Sequence, residues 1–283
     1  MSHRFEQASP RIFWFTPDST TDRPVLGVVA GATGSLVVDA GNSPAHARTL
    51  FAAMAAAGLP PVRYLVVTHW HWDHWFGISA FNVPVIAHAT TRRILTAQAV
   101  WDWSDAALDA RVAQGVEIAF CRDMLKAELP DRRDLLLRAP DIAFTGAMEI
   151  DLGDVTCRLI HVGGDHAADS IIVYVPMERI AFLSDCRYEN LYVTPRRYTT
   201  GRLFPLLDCL LELDAECYLG GHESTPISRT ELAAEAARLR LVGEMVARLG
   251  ADRTAVLAAL TQELSHPLDE DTLAFADAFL AGL

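Results

Sequence analysis

Cysteine is sparse in this 283-residue sequence, and its arrangement argues against a disulfide framework. The five cysteines are odd in number, scattered and without CxxC spacing: Cys121, Cys157, Cys186, Cys209 and Cys217. Such a pattern is typical of reduced thiols in a cytoplasm. The first residues also lack the charged and then apolar pattern of a secretory signal, so we expect a cytoplasmic protein.

Positive charge and long apolar runs are lacking as well. There are 24 basic residues against 36 acidic ones, which gives a net charge of −12. A nucleic-acid-binding surface needs basic residues to replace phosphate counterions, so we expect no nucleic-acid partner. No apolar run approaches membrane-spanning length, so we expect no membrane partner either. Because 51% of the residues are hydrophobic and charged residues are of ordinary frequency, we predict a soluble globular protein.

The chain alternates strand and helix patterns and then changes character twice. The predicted strands are residues 11–15, 25–30, 35–39, 62–67, 84–87, 142–144, 147–150, 155–160, 171–175, 180–183 and 217–219. The predicted helices are residues 45–57, 90–99, 201–211 and 228–249, with two shorter ones in 252–283. Residues from about 100 to 140 show no strand pattern, which predicts a helical insertion. We predict one domain over residues 1–283, with a helical tail at about 228–283.

Three histidines and an aspartate lie within the six residues from His69 to His74. Imidazole and carboxylate groups are ligands of borderline divalent metals such as Zn²⁺. Burying so many ionisable groups together is costly unless something binds them. The cluster directly follows the predicted strand 62–67, and α/β folds place their sites beyond strand ends. The sequence therefore predicts a metal site at this strand end.

Three further strand ends carry residues of the same chemistry. His166 follows a glycine loop after strand 155–160, and Asp185 follows strand 180–183. His222 follows two glycines after strand 217–219. Any one of these could be a turn residue or an ordinary histidine. Their repetition at strand ends indicates that they converge on the His69–His74 loop to form one metal centre.

These motifs resemble the metallo-β-lactamase superfamily of hydrolases over about residues 25–225. The matching segments are residues 37–41, 69–74, 164–166, 185 and 221–222. The resemblance implies an α/β protein with a four-layer αββα sandwich and two divalent metal ions at one edge. Zinc is the first expectation for these ions, with iron or manganese as alternatives.

The resemblance also implies a role for each motif residue. The implied ligands of the first ion are His69, His71 and His166, and those of the second are Asp73, His74 and His222. Asp185 would bridge the two ions, and Asp39 would support the ligands. A hydroxide between the ions would attack a carbonyl, while Asp73 would orient it or carry its proton.

Residues 185 to 188 bear on the substrate. The best-known lactamases of this family place cysteine at the position of Asp185 and lysine at that of Tyr188. Lactone hydrolases place tyrosine there, which donates a hydrogen bond to the carbonyl. We therefore expect an ester, lactone or thioester as substrate, although Tyr188 could equally be a packing residue. Arg187 could meet a substrate carboxylate, which keeps a β-lactam hydrolase as the alternative.

Three other questions stay open at this stage. A persulfide dioxygenase-like oxidoreductase with one iron per chain is the alternative from another class. The tryptophans of the histidine loop, Trp70, Trp72 and Trp75, either line the pocket or pack beneath it, and Trp101 and Trp103 either cover the site or pack within the insertion. The apolar face of helix 228–249 predicts core packing first and a homodimer contact second.

Overall fold

The computed structural model describes residues 3–283, and their strands form two sheets. Met1 and Ser2, which belong to the segment expected to lack a secretory signal pattern, lie outside the described residues. The first sheet contains, in chain and spatial order, β1 (Phe5–Gln7), β2 (Ile12–Phe15), β3 (Leu26–Gly31), β4 (Gly34–Val38), β5 (Val62–Val67), β6 (Val85–His88) and β7 (Ile142–Phe144). The second contains β8 (Ala147–Asp151), β9 (Thr156–His161), β10 (Ile171–Val175), β11 (Ile180–Ser184), β12 (Cys217–Gly220) and β13 (Ile227–Ser228).

The helices lie on the outer faces of the two sheets. In chain order they are α1 (Pro44–Ala56), α2 (Trp72–Trp75), α3 (Ala89–Gln98), α4 (Asp105–Ala113), α5 (Ala119–Glu128), α6 (Thr200–Glu212), α7 (Arg229–Leu249), α8 (Arg253–Leu264) and α9 (Glu270–Ala281). Helices α4 and α5 occupy the predicted insertion, and α7 to α9 form the predicted tail. Within residues 3–283, no helix is long and apolar enough to cross a membrane.

Three apolar clusters define four layers, because strand residues alternate between the two faces of each sheet. In β10, Val173 faces the first sheet, whereas Ile172 packs against α6 and the tail helices. In β4, Leu36 faces the second sheet, whereas Val37 packs against α1 and the insertion. Both central strands are therefore buried on two sides, and the predicted four-layer αββα sandwich is confirmed.

The apolar face of α7 is buried within the chain. Leu232, Leu239 and Val246 are each at most 1% exposed and pack with the outer face of the second sheet. Core packing, the first interpretation of this helix face, accounts for these residues. A homodimer stays a prediction.

Parallel strand pairs bring the carboxyl ends of several strands to one edge of the sandwich. In the first sheet β4, β5 and β6 are parallel, and in the second sheet β11 and β12 are parallel. Two backbone hydrogen bonds join the sheets at this edge, from the Ile171 N–H to the Thr68 carbonyl (3.0 Å) and from the Val25 N–H to the Gly221 carbonyl (2.7 Å). A Cβ at Gly27 would overlap the Phe182 ring, so glycine permits this close approach.

Leu36 offers a test of the core between the sheets. Its side chain is fully buried, so we expect Leu36→Ala to lower the free energy of unfolding by about 2–5 kcal/mol through lost burial and a residual cavity. Leu136 is 72% exposed, so Leu136→Ala is the matched control and should change stability by less than about 0.5 kcal/mol. Urea unfolding measures both. Equal effects of the two substitutions would contradict the described core.

Candidate metal centre

The histidine loop leaves β5 at the edge where the sheets meet. His71 precedes α2, so the helix presents Asp73 and His74 directly after it. Asp39, which follows β4, supports the loop through its carboxylate. It accepts a hydrogen bond from the Thr68 N–H (2.8 Å) and another from His74 Nδ1 (2.8 Å). The Nε2 atom of His74 is thereby turned toward the centre of the site.

The second sheet supplies the remaining predicted residues. Asp185 follows β11, and His222 follows β12 after the turn at Gly221. A Cβ at Gly221 would overlap the Asp185 carboxylate, so glycine is required for these two strand ends to lie side by side. His166 comes from the loop between β9 and β10, and its Nδ1–H donates to the Glu189 carbonyl (3.2 Å).

The seven residues predicted as ligands lie together as two overlapping groups. Within each group the ligand atoms lie within 4.8 Å of one another. The first group is His69, His71, His166 and Asp185, and the second is Asp73, His74, His222 and Asp185. Asp185 is shared: its Oδ2 lies 3.2 Å from His74 Nε2, 3.4 Å from His166 Nε2 and 3.4 Å from His222 Nε2.

Buried donor atoms without partners indicate that these groups fit metal ions. Among residues 3–283, the Nε2 atoms of His69, His71 and His166 and the Oδ1 atom of Asp185 are buried and form no hydrogen bond. Buried polar atoms are normally paired, and an unpaired one destabilises the fold. Three imidazole nitrogens and a carboxylate oxygen around one point match the ligand set of a divalent metal such as Zn²⁺.

The electrostatics of the site also fit a bound cation. Burial lowers the pKa of His69 and of His71 well below the ordinary value, so both imidazoles are neutral and can offer a lone pair. Burial opposes protonation of His74 too, but the carboxylates of Asp73 and Asp185 raise its pKa well above the ordinary value. Burial, together with the Asp73 carboxylate, raises the pKa of Asp22 to about 7. Divalent ions would relieve this crowding of negative charge.

A cavity of about 240 Å³ opens over the two groups. Phe120 and Cys121 of α5 line it, so the helical insertion contributes to its wall. Leu191 and Tyr188 line it from the loop that follows β11. The cavity therefore combines a polar floor of candidate ligands with a partly apolar wall, as expected for a small-molecule site.

The cavity wall contains none of the five tryptophans, which favours the packing interpretation. Trp72 and Trp75 are buried in the cluster beneath the loop, so packing explains both. Trp70 is partly buried and contacts His71, with ring centroids 4.5 Å apart. Trp101 and Trp103 lie outside the cavity wall and stack with Arg111, whose guanidinium carbon is 5.0 and 4.6 Å from their ring centroids.

The expectation that Arg187 could meet a substrate carboxylate is wrong for this structure. Arg187 is 6% exposed, and its guanidinium pairs with Glu223 (2.7 Å) and Glu235 (2.5 Å). These carboxylates are remote in sequence, so their pairing with Arg187 could not be predicted. Cys186 packs in the core behind the site, which agrees with the preference for a core thiol over a ligand.

Tyr188 lies in the cavity wall, beside two candidate ligands. Its ring centroid is 5.8 Å from that of His166 and 6.4 Å from that of His222. Burial, together with the carboxylates of Glu223 and Asp185, raises the pKa of Tyr188 far above its ordinary value. The hydroxyl therefore keeps its proton at neutral pH and can donate a hydrogen bond.

Several residues near the ligands were not predicted, among them Asp22 and Tyr192. Asp22, in the loop between β2 and β3, lines the cavity beside His222. The Tyr192 ring packs against His71, with centroids 5.2 Å apart. Neither residue belongs to a motif, and each reaches the site through a loop whose path is fixed by distant contacts.

The sequence and the fold of this chain are similar to those of known proteins. The model of the metallo-beta-lactamase superfamily matches residues 22–222. A metallo-beta-lactamase from Pontibacter korlensis has 19% sequence identity and a TM-score of 0.58, over 83% of this chain and 98% of the other. The DIM-1 metallo-beta-lactamase has 18% identity and a TM-score of 0.56, over 84% and 96%.

A third similar structure is the stereoselective inverting sec-alkylsulfatase Pisa1 from Pseudomonas sp. It is 14% identical with a TM-score of 0.67, and the match covers 98% of this chain but 47% of the other. At such identities the structural likeness shows the fold alone. No curated protein matches the sequence.

Metal analysis tests the centre directly. We expect the purified chain to hold about two transition-metal ions. Asp185→Asn should lower the number retained after dialysis, because Asp185 belongs to both groups. Asp214→Asn is the matched control, since the Asp214 side chain is 79% exposed and pairs with Arg179 at the surface. Inductively coupled plasma mass spectrometry gives the stoichiometry. An Asp185→Asn variant that retains as much metal as the wild type would contradict the shared role.

Proposed function

Because the chain belongs to the metallo-beta-lactamase superfamily, whose members are mostly hydrolytic metalloenzymes, we propose that it is a dinuclear metal-dependent hydrolase. Zinc is the metal that we expect, given the nitrogen and oxygen ligands. The proposed substrate is a small carbonyl compound: an ester, a lactone or a thioester. The observation that carries the proposal is Asp185, whose carboxylate is shared by the two groups of candidate ligands at the floor of the cavity.

The proposed ligand sets are those that the family resemblance implied. His69, His71 and His166 would hold one ion, and Asp73, His74 and His222 the other, with Asp185 between them. Bound divalent ions supply Lewis acidity and a hydroxide nucleophile at neutral pH. The protein's own contribution is to hold the ligand atoms in place and, through burial, to keep His69 and His71 deprotonated for binding.

Asp73 and Tyr188 are the residues proposed to act on the reacting groups. Asp73 Oδ2 lies 3.0 Å from His74 Nε2 and 3.3 Å from His222 Nε2, so its carboxylate sits within the second ligand group. From there it can orient the nucleophile or accept its proton. Tyr188 would donate its hydroxyl hydrogen to the carbonyl oxygen as negative charge develops there. The apolar side chains of Phe120 and Leu191 would exclude water from the bound substrate.

The substrate class rests on the residues around Asp185. An aspartate at position 185 and a tyrosine at position 188 favour a neutral carbonyl group over a lactam that carries a carboxylate. The pairing of Arg187 with Glu223 and Glu235 removes Arg187 as support for the lactam alternative, and Arg196 is the arginine that lines the cavity. Two of the similar structures are metallo-beta-lactamases, so β-lactam hydrolysis stays in the test as the second candidate.

A panel of substrates on zinc-loaded protein tests the proposal. We expect turnover of an activated ester, a lactone or a thioester to exceed that of a β-lactam and of a phosphodiester. A chelator should abolish turnover, and added zinc should restore it, whereas the zinc-saturated chelator serves as the control. Turnover that survives complete metal removal would refute the metal-dependent mechanism. Fastest turnover of the β-lactam would reassign the substrate. One iron per chain in the protein as purified would support the oxidoreductase alternative.

Tyr188→Phe tests the hydrogen-bond donor. We expect kcat to fall about 10²-fold or more, because one donor to the developing oxyanion is lost, with little change in KM or metal content. Tyr64→Phe is the matched control, since Tyr64 packs beside the core between the sheets and lies outside the cavity wall. Steady-state kinetics on the best substrate of the panel measures both variants. Unchanged kcat in Tyr188→Phe would show that Tyr188 only packs.

A further inference from the structure

Asp22 lies on the side of His222 that faces away from the other ligands. Asp22 Oδ1 is 3.6 Å from His222 Nδ1. On the opposite side of the same ring, His222 Nε2 lies 3.3 Å from Asp73 Oδ2 and 3.4 Å from Asp185 Oδ2. The imidazole of His222 therefore stands between the Asp22 carboxylate and the second group of candidate ligands.

Two of the other candidate ligand histidines show what such a partner does. His74 Nδ1 donates to the Asp39 carboxylate (2.8 Å), and His166 Nδ1 donates to the Glu189 carbonyl (3.2 Å). In both rings an oxygen acceptor at Nδ1 leaves Nε2 free to face the centre. A proton held at Nδ1 fixes the tautomer and the orientation of a ligating imidazole. Among residues 3–283, Asp22 is the carboxylate that lies within 4.0 Å of His222 Nδ1.

The backbone of the loop that carries Asp22 is in an uncommon conformation. Asp22 has a φ of 58°, in the left-handed region that non-glycine residues adopt infrequently, although aspartate and asparagine adopt it more readily than most. Such a conformation persists only where the surrounding structure enforces it, and it is found most often at functional sites. The strained residue is also the one that faces His222.

Contacts on both sides of Asp22 enforce this conformation. Asp18 and Arg23 pair through two backbone hydrogen bonds of 3.0 and 2.9 Å, which close the loop. The Arg23 side chain donates twice to the Glu128 carboxylate, at 3.1 and 2.8 Å. Asn42 Nδ2 donates to the Thr21 carbonyl (2.8 Å). Because Glu128 ends α5, the helical insertion itself anchors the loop.

We propose that Asp22 is a positioning residue that orients His222 for the second ion of the dinuclear centre. Its carboxylate attracts the N–H of His222 Nδ1 across 3.6 Å and leaves Nε2 directed toward Asp73 and Asp185. This inference rests on the proposed metal centre and adds a residue that no motif identifies. It also assigns a task to the insertion, because Glu128 fixes the loop from which Asp22 reaches His222.

Stepwise metal titration tests the role without any substrate. Cobalt(II) or zinc is added to metal-free protein in competition with a chromophoric chelator, which resolves the first and second equivalents. We expect Asp22→Asn to bind the second ion about 10–100-fold more weakly, as is typical when the partner of a ligating histidine is lost. The affinity for the first ion should stay unchanged, because His222 is absent from the first group.

Two further variants separate positioning from folding. Asp22→Gly removes the carboxylate but adopts a φ of 58° without strain, so it should fold at least as well and lose the same affinity. Asp18→Asn is the matched control in the same loop, because the Asp18 carboxylate accepts from the Thr20 N–H and pairs with no histidine in the described chain. It should bind both ions as the wild type does. Thermal unfolding checks that all variants fold.

The outcomes distinguish this inference from the proposed function. Wild-type affinity for both ions in Asp22→Asn and Asp22→Gly would overturn the inference and leave the hydrolase proposal untouched. An equal loss of both ions would also overturn it, because a general disturbance does not need His222. A wild-type chain that binds fewer than two ions would remove the second position altogether. A selective loss of the second ion in a protein that hydrolyses nothing would support the inference and refute the hydrolase.

Discussion

The crowding of acids and imidazoles at one buried edge is the constraint on which the rest of the structure depends. Asp73, Asp185 and His74 are each at most 4% exposed, and burial of ionisable groups without a counter-charge is strongly destabilising. Two bound cations would offset this destabilisation. The sandwich supplies the rigid frame, since the central strands of both sheets are buried on two faces and a hydrogen bond from Ile171 to Thr68 joins the sheets.

The geometry at this edge depends on small residues and on a few supporting acids. Gly27 lets the sheets approach, and Gly221 leaves room for the Asp185 carboxylate. Asp39 and Asp22 stand behind two different histidines, one from each sheet. The outer residues thus set the direction of the imidazoles, while the ligands themselves come from strand ends. A substitution of a ligand or of a supporting acid would therefore change metal affinity more than it would change the stability of the fold.

Local sequence predicted much of the fold, because β-branched runs and glycine boundaries mark buried strands. The strands Val62–Val67, Ile142–Phe144 and Ile171–Val175 were predicted to the residue. The short edge strands Phe5–Gln7 and Ile227–Ser228 were missed, since three and two residues carry no period. Helix α2 was predicted as loop, because its four residues consist of ligands and tryptophans.

In the site too, the residues marked by local motifs were predictable, and the contacts between distant segments were not. Each predicted ligand lies in a segment that follows a strand, and the motifs together with the family resemblance predicted that all seven meet at one edge. The pairing of Arg187 with Glu235 and the approach of Asp22 to His222 depend on contacts between segments far apart in the chain.

Anomalous X-ray diffraction from crystals of the zinc-loaded protein tests the central claim most directly. The account predicts two peaks on either side of the Asp185 carboxylate, and zinc bound elsewhere, with no peak beside Asp185, would contradict it.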